Sequence, residues 1–447
     1  MPQPTDDLAN IHQRPVQLLR DLIRFDTTNP PGNEADCVAY VRDVLTQGGF
    51  ETSLLARDPQ RPNLITCLRG QGNAPPLLLH GHVDVRPTEG QKWQHPPFEG
   101  RVVDGCVWGR GALDMKGGVA MMLAAMLRAK AEGLTPPGDI ILAVLSDEEQ
   151  GSEYGAKYLV ENHAERFKGV RYAIGEFGGF TFDVGGRRLY LIQIAEKRFC
   201  LIKVTMNGQG GHASLRVREG VMAQLARVLA KLGERSLPVH VIPVTRQSID
   251  ALASAVSLPS SFILRQLLTP KLTGVLLRML GARGQAIEPM FRNMANVYAV
   301  QGTAIPSQVV LLVSVYLLPG YDPGDVVAEL RKLTGDQAEL EVVAVGPPSR
   351  EPDMGLFDTL AGLLRSADPE GTPVPYLQPA VTDARFFGQL GIQTYGFTPM
   401  TLPSDLKFWQ LVHAADERIP TEAVEFGTDA IYRLLQCYHC HQPDSSL

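Results

Sequence analysis

The sequence predicts an α/β protein in which helices flank a mixed, largely parallel sheet and a smaller α+β domain is inserted into the chain. Three observations predict this class. Over residues 1–194, short apolar runs typical of buried strands alternate with segments of helical spacing. Near residue 195 the pattern changes to a compact strand-helix-strand-helix set, and after a Gly-Pro-Pro turn ending at residue 348 the α/β alternation resumes. The predicted domains are therefore 1–194 together with 347–447, and an insertion at 195–346.

The periodicity of apolar residues justifies each element. Helical spacing predicts helices in the larger domain at 17–25, 37–45, 115–131, 356–364 and 421–437. Wholly apolar runs predict strands buried on both faces at 77–79 and 140–145, a further buried strand is predicted at 171–174, and another strand at 394–397. The insertion has predicted strands at 199–206 and 309–318, a strand ending near 345, and helices at 219–232 and 324–333. Segment 248–296 is long, apolar and helical in pattern, and its role is left open.

The composition is that of an ordinary globular protein, with 44% hydrophobic and 20% charged residues. Lys and Arg total 42 against 48 Asp and Glu, and no dense basic run occurs, so we expect neither nucleic acid nor a membrane as a partner. The first fifteen residues lack the apolar core of a signal peptide, and no uncharged apolar run reaches the ~18 residues of a membrane span. These features predict a cytoplasmic protein. Its six scattered cysteines predict no disulfide framework.

Histidine and aspartate alternate where the first buried strand ends. In the run 77–84, His80, His82 and Asp84 share one face because side chains alternate along a strand. This end of a strand is where α/β sheets bind ligands. His82 offers a ring nitrogen to a metal, and Asp84 can accept a hydrogen bond from the other ring nitrogen. For this motif alone, a histidine pair packed at a strand end is an equally good interpretation.

Carboxylates follow two further elements. Asp114 lies between a Gly-rich turn and a predicted helix, where taken alone it is more readily interpreted as an N-cap than as a ligand. Asp147, Glu148 and Glu149 come just after the apolar strand 140–145. An acidic run is ordinarily a solvated face. Here the strand directs the acids into a site mouth, where stacked negative charge is unfavourable unless a cation neutralises it.

Glu176 and His413 complete the candidate set. Glu176 follows a predicted buried strand, and His413 lies in the polar segment 412–420. Each alone is more readily interpreted as a solvated loop residue. Together with the earlier candidates they supply histidines and carboxylates at the ends of apolar strands. This donor set suits Zn, Mn or Co, and one carboxylate can bridge two metals ~3.5–4 Å apart.

In these motifs and their order, the sequence resembles the di-zinc metallopeptidases and amidohydrolases that include carboxypeptidase G, aminoacylase, acetylornithine deacetylase and succinyl-diaminopimelate desuccinylase. The carboxypeptidase S-like branch is the most similar. The resemblance covers about residues 16–435. It implies two divalent metal ions, with Zn expected and Co or Mn as alternatives, and it implies Glu148 as general base, Asp84 as the ligand-orienting acid and a cis peptide bond after Asp114. The implied metal ligands are His82, Asp114 as the bridge, Glu149, Glu176 and His413.

The same resemblance makes the insertion a lid and dimerisation domain. Residues 210–214 match the family's Gly-His-Ser/Ala-Ser motif, which implies a homodimer in which His212 reaches the active site of the other subunit and stabilises the oxyanion. From the residues alone, His212 is more readily interpreted as a surface turn residue. Asp383 and Arg385 match a family segment near the substrate, and surface charges at a helix start are the alternative.

Two positions depart from the family pattern. Thr303 and Tyr316 stand where family members commonly have the Asn and Arg that help to hold the substrate's terminal carboxylate. Replacing Arg by Tyr removes a fork that binds a carboxylate through two charge-assisted hydrogen bonds. The change does not touch the implied metal ligands. With it, however, the resemblance no longer implies that the substrate must have a free terminal carboxylate.

The prediction is a hydrolase, either a metallopeptidase (carboxypeptidase or dipeptidase) or an N-acyl amino acid amidohydrolase. It would cleave an amide or peptide bond of a small peptide or N-acyl amino acid by a metal-bridging hydroxide, with Glu148 as base. One alternative is a degenerate member that binds metal or ligand without hydrolysis. Another is that segment 248–296 docks a partner or a membrane surface, although we favour a dimer interface or lid core. Cys437 and Cys440 could hold a structural metal, but no second pair completes that site, and we interpret them as a frayed helix end.

Overall fold

The computed structural model describes residues 8, 10–184, 186–208, 220–302, 307–335 and 338–438. These residues form two compact units. Unit 1 takes the described parts of Met1–Ile194, Pro352–Tyr376 and Thr382–Leu447, and unit 2 those of Ala195–Glu351 and Leu377–Val381. No helix in the described ranges is both long enough and apolar enough to cross a membrane.

The strands and helices are numbered in chain order. Within the described residues the strands are β1 (Thr52–Leu55), β2 (Asn63–Leu68), β3 (Leu77–His82), β4 (Arg101–Val103), β5 (Cys106–Trp108), β6 (Ile140–Leu145), β7 (Tyr172–Gly175), β8 (Phe180–Val184), β9 (Arg187–Glu196), β10 (Arg198–Asn207), β11 (Met294–Gln301), β12 (Gln308–Leu317), β13 (Ala338–Val345), β14 (Thr372–Gln378), β15 (Gln393–Gly396) and β16 (Arg418–Pro420). The α-helices are α1 (Pro15–Ile23), α2 (Ala35–Gln47), α3 (Lys116–Ala131), α4 (Ala156–Asn162), α5 (Val221–Glu234), α6 (Pro243–Ala255), α7 (Ser260–Gln266), α8 (Pro270–Met279), α9 (Ala282–Ile287), α10 (Pro323–Thr334), α11 (Phe357–Ala367), α12 (Ala384–Phe387), α13 (Phe408–Leu411) and α14 (Thr421–Cys437).

A mixed sheet forms the centre of unit 1. Its strand order is β1-β2-β6-β3-β7-β15-β9-β14, and β8 pairs with β9. The neighbours β6, β3, β7 and β15 are parallel, while β2 and β9 join this central part antiparallel. The predicted α/β class with a mixed sheet and flanking helices is confirmed, and the parallel part is the middle of the sheet.

Helices cover both faces of the central strands, which explains why β3 and β6 are buried along their whole length. On one face Gly81 lies against the side chains of Met115 and Val119, at and after the start of α3. On the other face, Leu78 of β3 packs in one cluster with Leu159 of α4. Because β3, β6 and β7 are parallel, their C-terminal ends meet at one edge of the sheet.

Several strands of this sheet are absent from the sequence prediction. The prediction missed β1, β2, β8, β9 and β14, and two physical reasons account for β1, β2 and β14. Polar residues interrupt the apolar runs of β1 and β2. β14 contains Pro373 and Pro375, which argue against a strand, but it lies at the end of the strand order, where proline is tolerated.

Unit 2 contains a four-stranded antiparallel sheet in the order β11-β12-β10-β13. Alternate residues of β12 are buried, and they pack with apolar side chains of α5 and α10 in one core. Segment 248–296 folds mostly as α6 to α9. The helical pattern predicted up to residue 296 is wrong at its end, because β11 begins at Met294 and pairs with β12.

Candidate metal centre

His82 stands at the last position of β3 with its side chain buried. Its Nδ1 lies 3.0 Å from the backbone oxygen of Asp84. A carbonyl oxygen can only accept a hydrogen bond, so Nδ1 carries the proton of the neutral ring. Nε2 then faces two carboxylate oxygens, Oδ1 of Asp114 and Oε2 of Glu176, each 3.2 Å away. A bare nitrogen between two carboxylates needs a cation there, either a proton or a metal ion.

Asp114 lies between the two histidines of the site. Its Oδ1 faces His82, and its Oδ2 lies 2.9 Å from Nε2 of His413. The N-cap interpretation of Asp114 is wrong, because α3 begins at Lys116 and its start makes no side-chain cap bond. The Asp114–Met115 peptide bond is cis, as the family resemblance implies. Asp114 therefore presents one carboxylate oxygen to each histidine, as a bridging ligand does.

His413 and Glu149 form the second half of the centre. Nε2 of His413 lies 3.0 Å from Oε1 of Glu149, yet neither atom has a hydrogen-bond partner among the described residues. The short distance without hydrogen-bond geometry is typical of side chains that converge on an ion. Two groups result, His82 with Asp114 and Glu176, and Asp114 with Glu149 and His413; within each, the ligand atoms lie within 4.8 Å of one another.

The charges of these side chains are strongly coupled. Burial alone would lower the pKa of His82, but the neighbouring carboxylates, Glu176 first among them, raise the pKa well above its usual value. Burial would also lower the pKa of His413, but the carboxylates of Asp114 and Glu149 raise this pKa to about 10. Burial raises the pKa of Glu176 well above the usual range. The pocket thus carries a surplus of buried negative charge that cations stabilise.

The residues fit a pair of divalent metal ions. Several buried polar atoms of the site have no hydrogen-bond partner among the described residues and are available to bind an ion. They include Oε1 of Glu149, Oε1 of Glu176 and Nε2 of His413. Imidazole nitrogens with carboxylate oxygens are donors that Zn, Mn and Co accept. The shared carboxylate of Asp114 allows the two ions to be neighbours.

Comparison with known proteins identifies the family of this chain. The sequence model of Peptidase family M20/M25/M40 matches residues 78–436. The chain belongs to this family. It is 27% identical over 381 residues to "Probable carboxypeptidase S-like 2" of Dictyostelium discoideum. The matched stretch covers 81% of this chain and 71% of that protein. It is 34% identical over 226 residues to the succinyl-diaminopimelate desuccinylase of Paracoccus denitrificans (strain Pd 1222), over 50% of this chain and 57% of that protein.

A solved structure shares the fold of this M20 chain. The M20 family metallo-carboxypeptidase Sso-CP2 from Sulfolobus solfataricus superposes with a TM-score of 0.72 at 16% identity, over 95% of this chain and 99% of that chain. The family predicted from the motifs is confirmed, and with it the class of metallopeptidase-family hydrolases.

The acidic loop of this M20 chain is held by Asp84. The Asp84 carboxylate accepts hydrogen bonds from the backbone N–H groups of Glu148 and Glu149, each at 3.1 Å. Its oxygen lies 3.4 Å from Nδ1 of His82, which is farther than the 3.0 Å to the Asp84 backbone oxygen. Asp84 therefore orients His82 mainly through its main chain, while its carboxylate fixes the loop that carries Glu148 and Glu149.

A second layer of buried polar groups supports Asp84, and sequence reasoning missed it. Nδ2 of Asn29 donates to Asp84 at 2.8 Å and to Asp147 at 3.0 Å. Arg61 lies 3.0 Å from Asp147 and 2.7 Å from Glu34. The one signal in the sequence is the Asn-Pro-Pro turn at residues 29–31, which indicates a turn but gives no indication of its partners.

A buried pair, Arg110 with Glu417, joins the loops that carry Asp114 and His413. Its ion pair measures 2.6 Å, and neither side chain is exposed. Arg110 also donates to the backbone oxygen of His413 at 3.1 Å. Oε1 of Glu417 accepts the backbone N–H groups of Leu113 at 2.8 Å and Asp114 at 3.2 Å. Arg110 lies in the Gly-rich turn before Asp114 and Glu417 in the segment 412–420, but the sequence analysis predicts neither as a site residue.

Asp383 is buried, so the surface-charge interpretation of this segment is wrong for it. Its carboxylate accepts a hydrogen bond from the Ser152 hydroxyl, and burial raises its pKa to about 6. Arg385 is partly exposed, and its guanidinium lies over the ring of Phe386 at 4.7 Å. Asp383 and Arg385 both act on the pKa of Glu148, which burial raises well above its usual value. The three charges therefore belong to one neighbourhood.

Four further residues were considered for the site from the sequence. Tyr316 is a half-buried residue of β12 in unit 2, and its ring lies 5.8 Å from that of Phe199. His212 and Thr303 lie outside the described residues, as does Cys440. His80 is a core residue, with its ring 4.7 Å from that of Phe387 and its pKa lowered to about 3 by burial.

Proposed function

We propose that this M20 chain hydrolyses an amide or peptide bond of a small peptide or N-acyl amino acid, using two divalent metal ions. Zn is the ion we expect, and Co or Mn suits the same donors. The observation that carries the proposal is the pair of ligand groups that share Asp114. His82 and Glu176 would hold one ion, and Glu149 and His413 the other.

Glu148 is the residue we assign as the proton-transfer group. The bound ions would supply Lewis acidity and lower the pKa of water from about 15.7 towards ~7. Glu148 is next to the ligand Glu149, half-buried, and fixed through its backbone N–H by Asp84. It accepts the proton of the attacking water and delivers it to the leaving amine. Burial raises the pKa of Glu148 well above its usual range, which favours uptake of the proton from the water.

The substrate's polar end is assigned to groups near Glu148. Asp383 and Arg385 share the electrostatic neighbourhood of Glu148, and the N–H groups of Arg385 suit a carbonyl or carboxylate oxygen. Thr303 and Tyr316 lack the charge of the family's carboxylate-binding Arg. We therefore expect C-terminal amides to be cleaved within about 10-fold of the free acids, since these positions lack the charge-assisted contact, worth roughly 1.5–3 kcal/mol, that would otherwise favour the acids by about 10- to 150-fold.

We further propose that unit 2 is the lid and dimerisation domain predicted at 195–346. The role of His212 across a homodimer, and a cytoplasmic location, stay predictions of the sequence. The antiparallel sheet and helical segment of unit 2 agree with a separate domain of this kind.

The test is Glu148→Gln, assayed with N-acetyl and N-succinyl amino acids, dipeptides and their amides. We expect hydrolysis to fall about 10²–10⁴-fold, because the general base is lost, while the content remains two metal ions per chain. Glu153→Gln is the matched control, since Glu153 lies in the same loop region and is half exposed. A near-normal rate for Glu148→Gln refutes the assignment of the base. An inactive wild type with bound metal supports the degenerate, binding-only alternative.

A further inference from the structure

An aromatic cluster in unit 1 lies close in sequence to two of the proposed metal ligands. Phe177 follows the proposed ligand Glu176 directly, so their Cα atoms are ~3.8 Å apart. Trp409 lies on α13, four residues before the proposed ligand His413. The two rings therefore belong to the same two chain segments that supply ligands to the two halves of the centre.

The two rings form a stacked pair on a buried base. Phe177 and Trp409 have ring centroids 5.6 Å apart and planes within 4° of parallel. Phe180 lies 5.8 Å from Trp409 at 74°, and Phe408 lies 5.3 Å from it at 85°. Phe180 and Phe408 stack on each other at 4.0 Å and are buried. Aromatic contacts on two sides hold the orientation of Trp409.

The upper part of this cluster is not covered by the described chain. Trp409 remains 39% exposed and Phe177 is half-buried, whereas the rings beneath them are buried. Tyr376, also half-buried, flanks Trp409 with its ring 6.5 Å away. Phe177 has a φ of 60°, which a bulky residue rarely adopts. A packing role alone needs neither the exposure of the indole nor this backbone conformation.

We propose that Phe177 and Trp409, flanked by Tyr376, form an apolar subsite that binds an aromatic or long aliphatic group of the substrate. This inference rests on the proposed hydrolase function and names its substrate class. The position of the rings supports this occupant, since Phe177 directly follows the proposed ligand Glu176 and stacks with Trp409, which is four residues before the proposed ligand His413. An aromatic or alkyl group placed on the stacked rings is removed from water, which favours its binding.

The experiment compares substrates that differ in one apolar group. N-acetylglycine is the small reference, N-acetylphenylalanine carries the ring on the amine side, and N-benzoylglycine and N-lauroylglycine carry the apolar group on the acyl side. We expect the wild type to prefer at least one apolar substrate over the reference by about 10-fold or more in kcat/KM, as apolar pockets typically do. The arm that shows the preference identifies the side of the scissile bond that the rings contact.

Trp409→Ala should reduce this preference about 10-fold, chiefly through KM, and Trp409→Phe should retain most of it because an aromatic face remains. Phe182→Ala is the control, since Phe182 is an exposed aromatic residue of β8 outside the stacked cluster. Equal losses on small and apolar substrates, or no apolar preference in the wild type, would overturn the subsite while leaving the hydrolase function intact.

A binding measurement separates the two proposals if no substrate is cleaved. N-benzoylglycine and N-lauroylglycine are titrated into the metal-loaded Glu148→Gln chain by calorimetry, with and without Trp409→Phe and Trp409→Ala. Saturable binding that is weakened by Trp409→Ala supports the subsite without any turnover. Absence of binding, or binding indifferent to Trp409, overturns it. The melting curve of each variant shows whether it is folded.

Discussion

Replacing Arg110 with Met tests whether one buried pair holds the loops of Asp114 and His413. Arg110 and Glu417 are fully buried and 2.6 Å apart. The substitution leaves the Glu417 carboxylate buried without its cation, and breaking such a pair typically costs about 3–5 kcal/mol. Burial already raises the pKa of Glu417 despite the opposing charge of Arg110, and without Arg110 only the backbone N–H groups of Leu113 and Asp114 would stabilise the carboxylate. We expect the free energy of unfolding to fall by about this amount.

The assay for Arg110→Met is urea unfolding at pH 7, combined with a zinc titration of the metal-free chain. The loss of Arg110 also removes its hydrogen bond to the backbone of His413, so zinc affinity should fall about 10–100-fold, as is typical when a group that orients ligands is removed. Arg110→Lys should be intermediate, because it keeps the charge and loses the planar fork. The matched control is Arg42→Met, whose partner Asp43 is 3.1 Å away on the surface and contributes at most about 1 kcal/mol.

Two results would refute the reasoning. One is an unfolding free energy of Arg110→Met within about 1 kcal/mol of the wild type, which would equate the buried pair with a surface pair. The other is an unchanged zinc affinity, which would mean that the Arg110–Glu417 pair stabilises the fold without positioning Asp114 and His413.

Three further predictions concern the acidic loop that carries Glu148 and Glu149, a buried lysine and the metal ions. Arg61→Met should lower kcat about 10-fold with metal content retained, because Asp147 loses the cation 3.0 Å away that helps fix the acidic loop; loss of metal instead would contradict this positioning role. Burial lowers the pKa of Lys197 to about 7, against ~10.4 in an unfolded chain, so between these pH values the unfolded state binds more protons and stability rises with pH. Lys197→Met should flatten that rise in unfolding experiments, and an equal slope in both proteins would refute it. Chelation should lower the melting temperature, and zinc at 100 times its Kd should restore about 2.7 kcal/mol; a melting curve indifferent to zinc would argue against metal binding by the folded chain.

The central strands and the candidate ligands could be predicted from the sequence because both depend on local patterns. β6 and α14 have the predicted bounds, since an unbroken apolar run and a strong helical period each define one element. His82 is the last residue of one parallel strand, Glu149 and Glu176 come after two others, and parallel strands end at one edge of a sheet.

The groups that hold these ligands could not be predicted, because their contacts join distant parts of the chain. Asn29 and Asp147 are 118 residues apart in sequence, and Arg110 and Glu417 are 307 apart. No local period relates such residues, and a buried ion pair has the same letters as a surface one. β14 was missed for the opposite reason, since its prolines give a strong local signal that its edge position overrides.

The most direct test of the central claim is hydrolysis by the metal-free chain as zinc is added stepwise. Cys437→Ser/Cys440→Ser serves as the parent protein, so that those thiols bind none of the added metal. With a two-metal centre, we expect no cleavage of N-acyl amino acids or dipeptides without metal. Activity should rise with added zinc to a plateau at two ions per chain. Asp114→Asn should shift or abolish that plateau, because Asp114 belongs to both ligand groups. Full activity without metal, or a plateau that Asp114→Asn leaves unchanged, would contradict the shared metal centre.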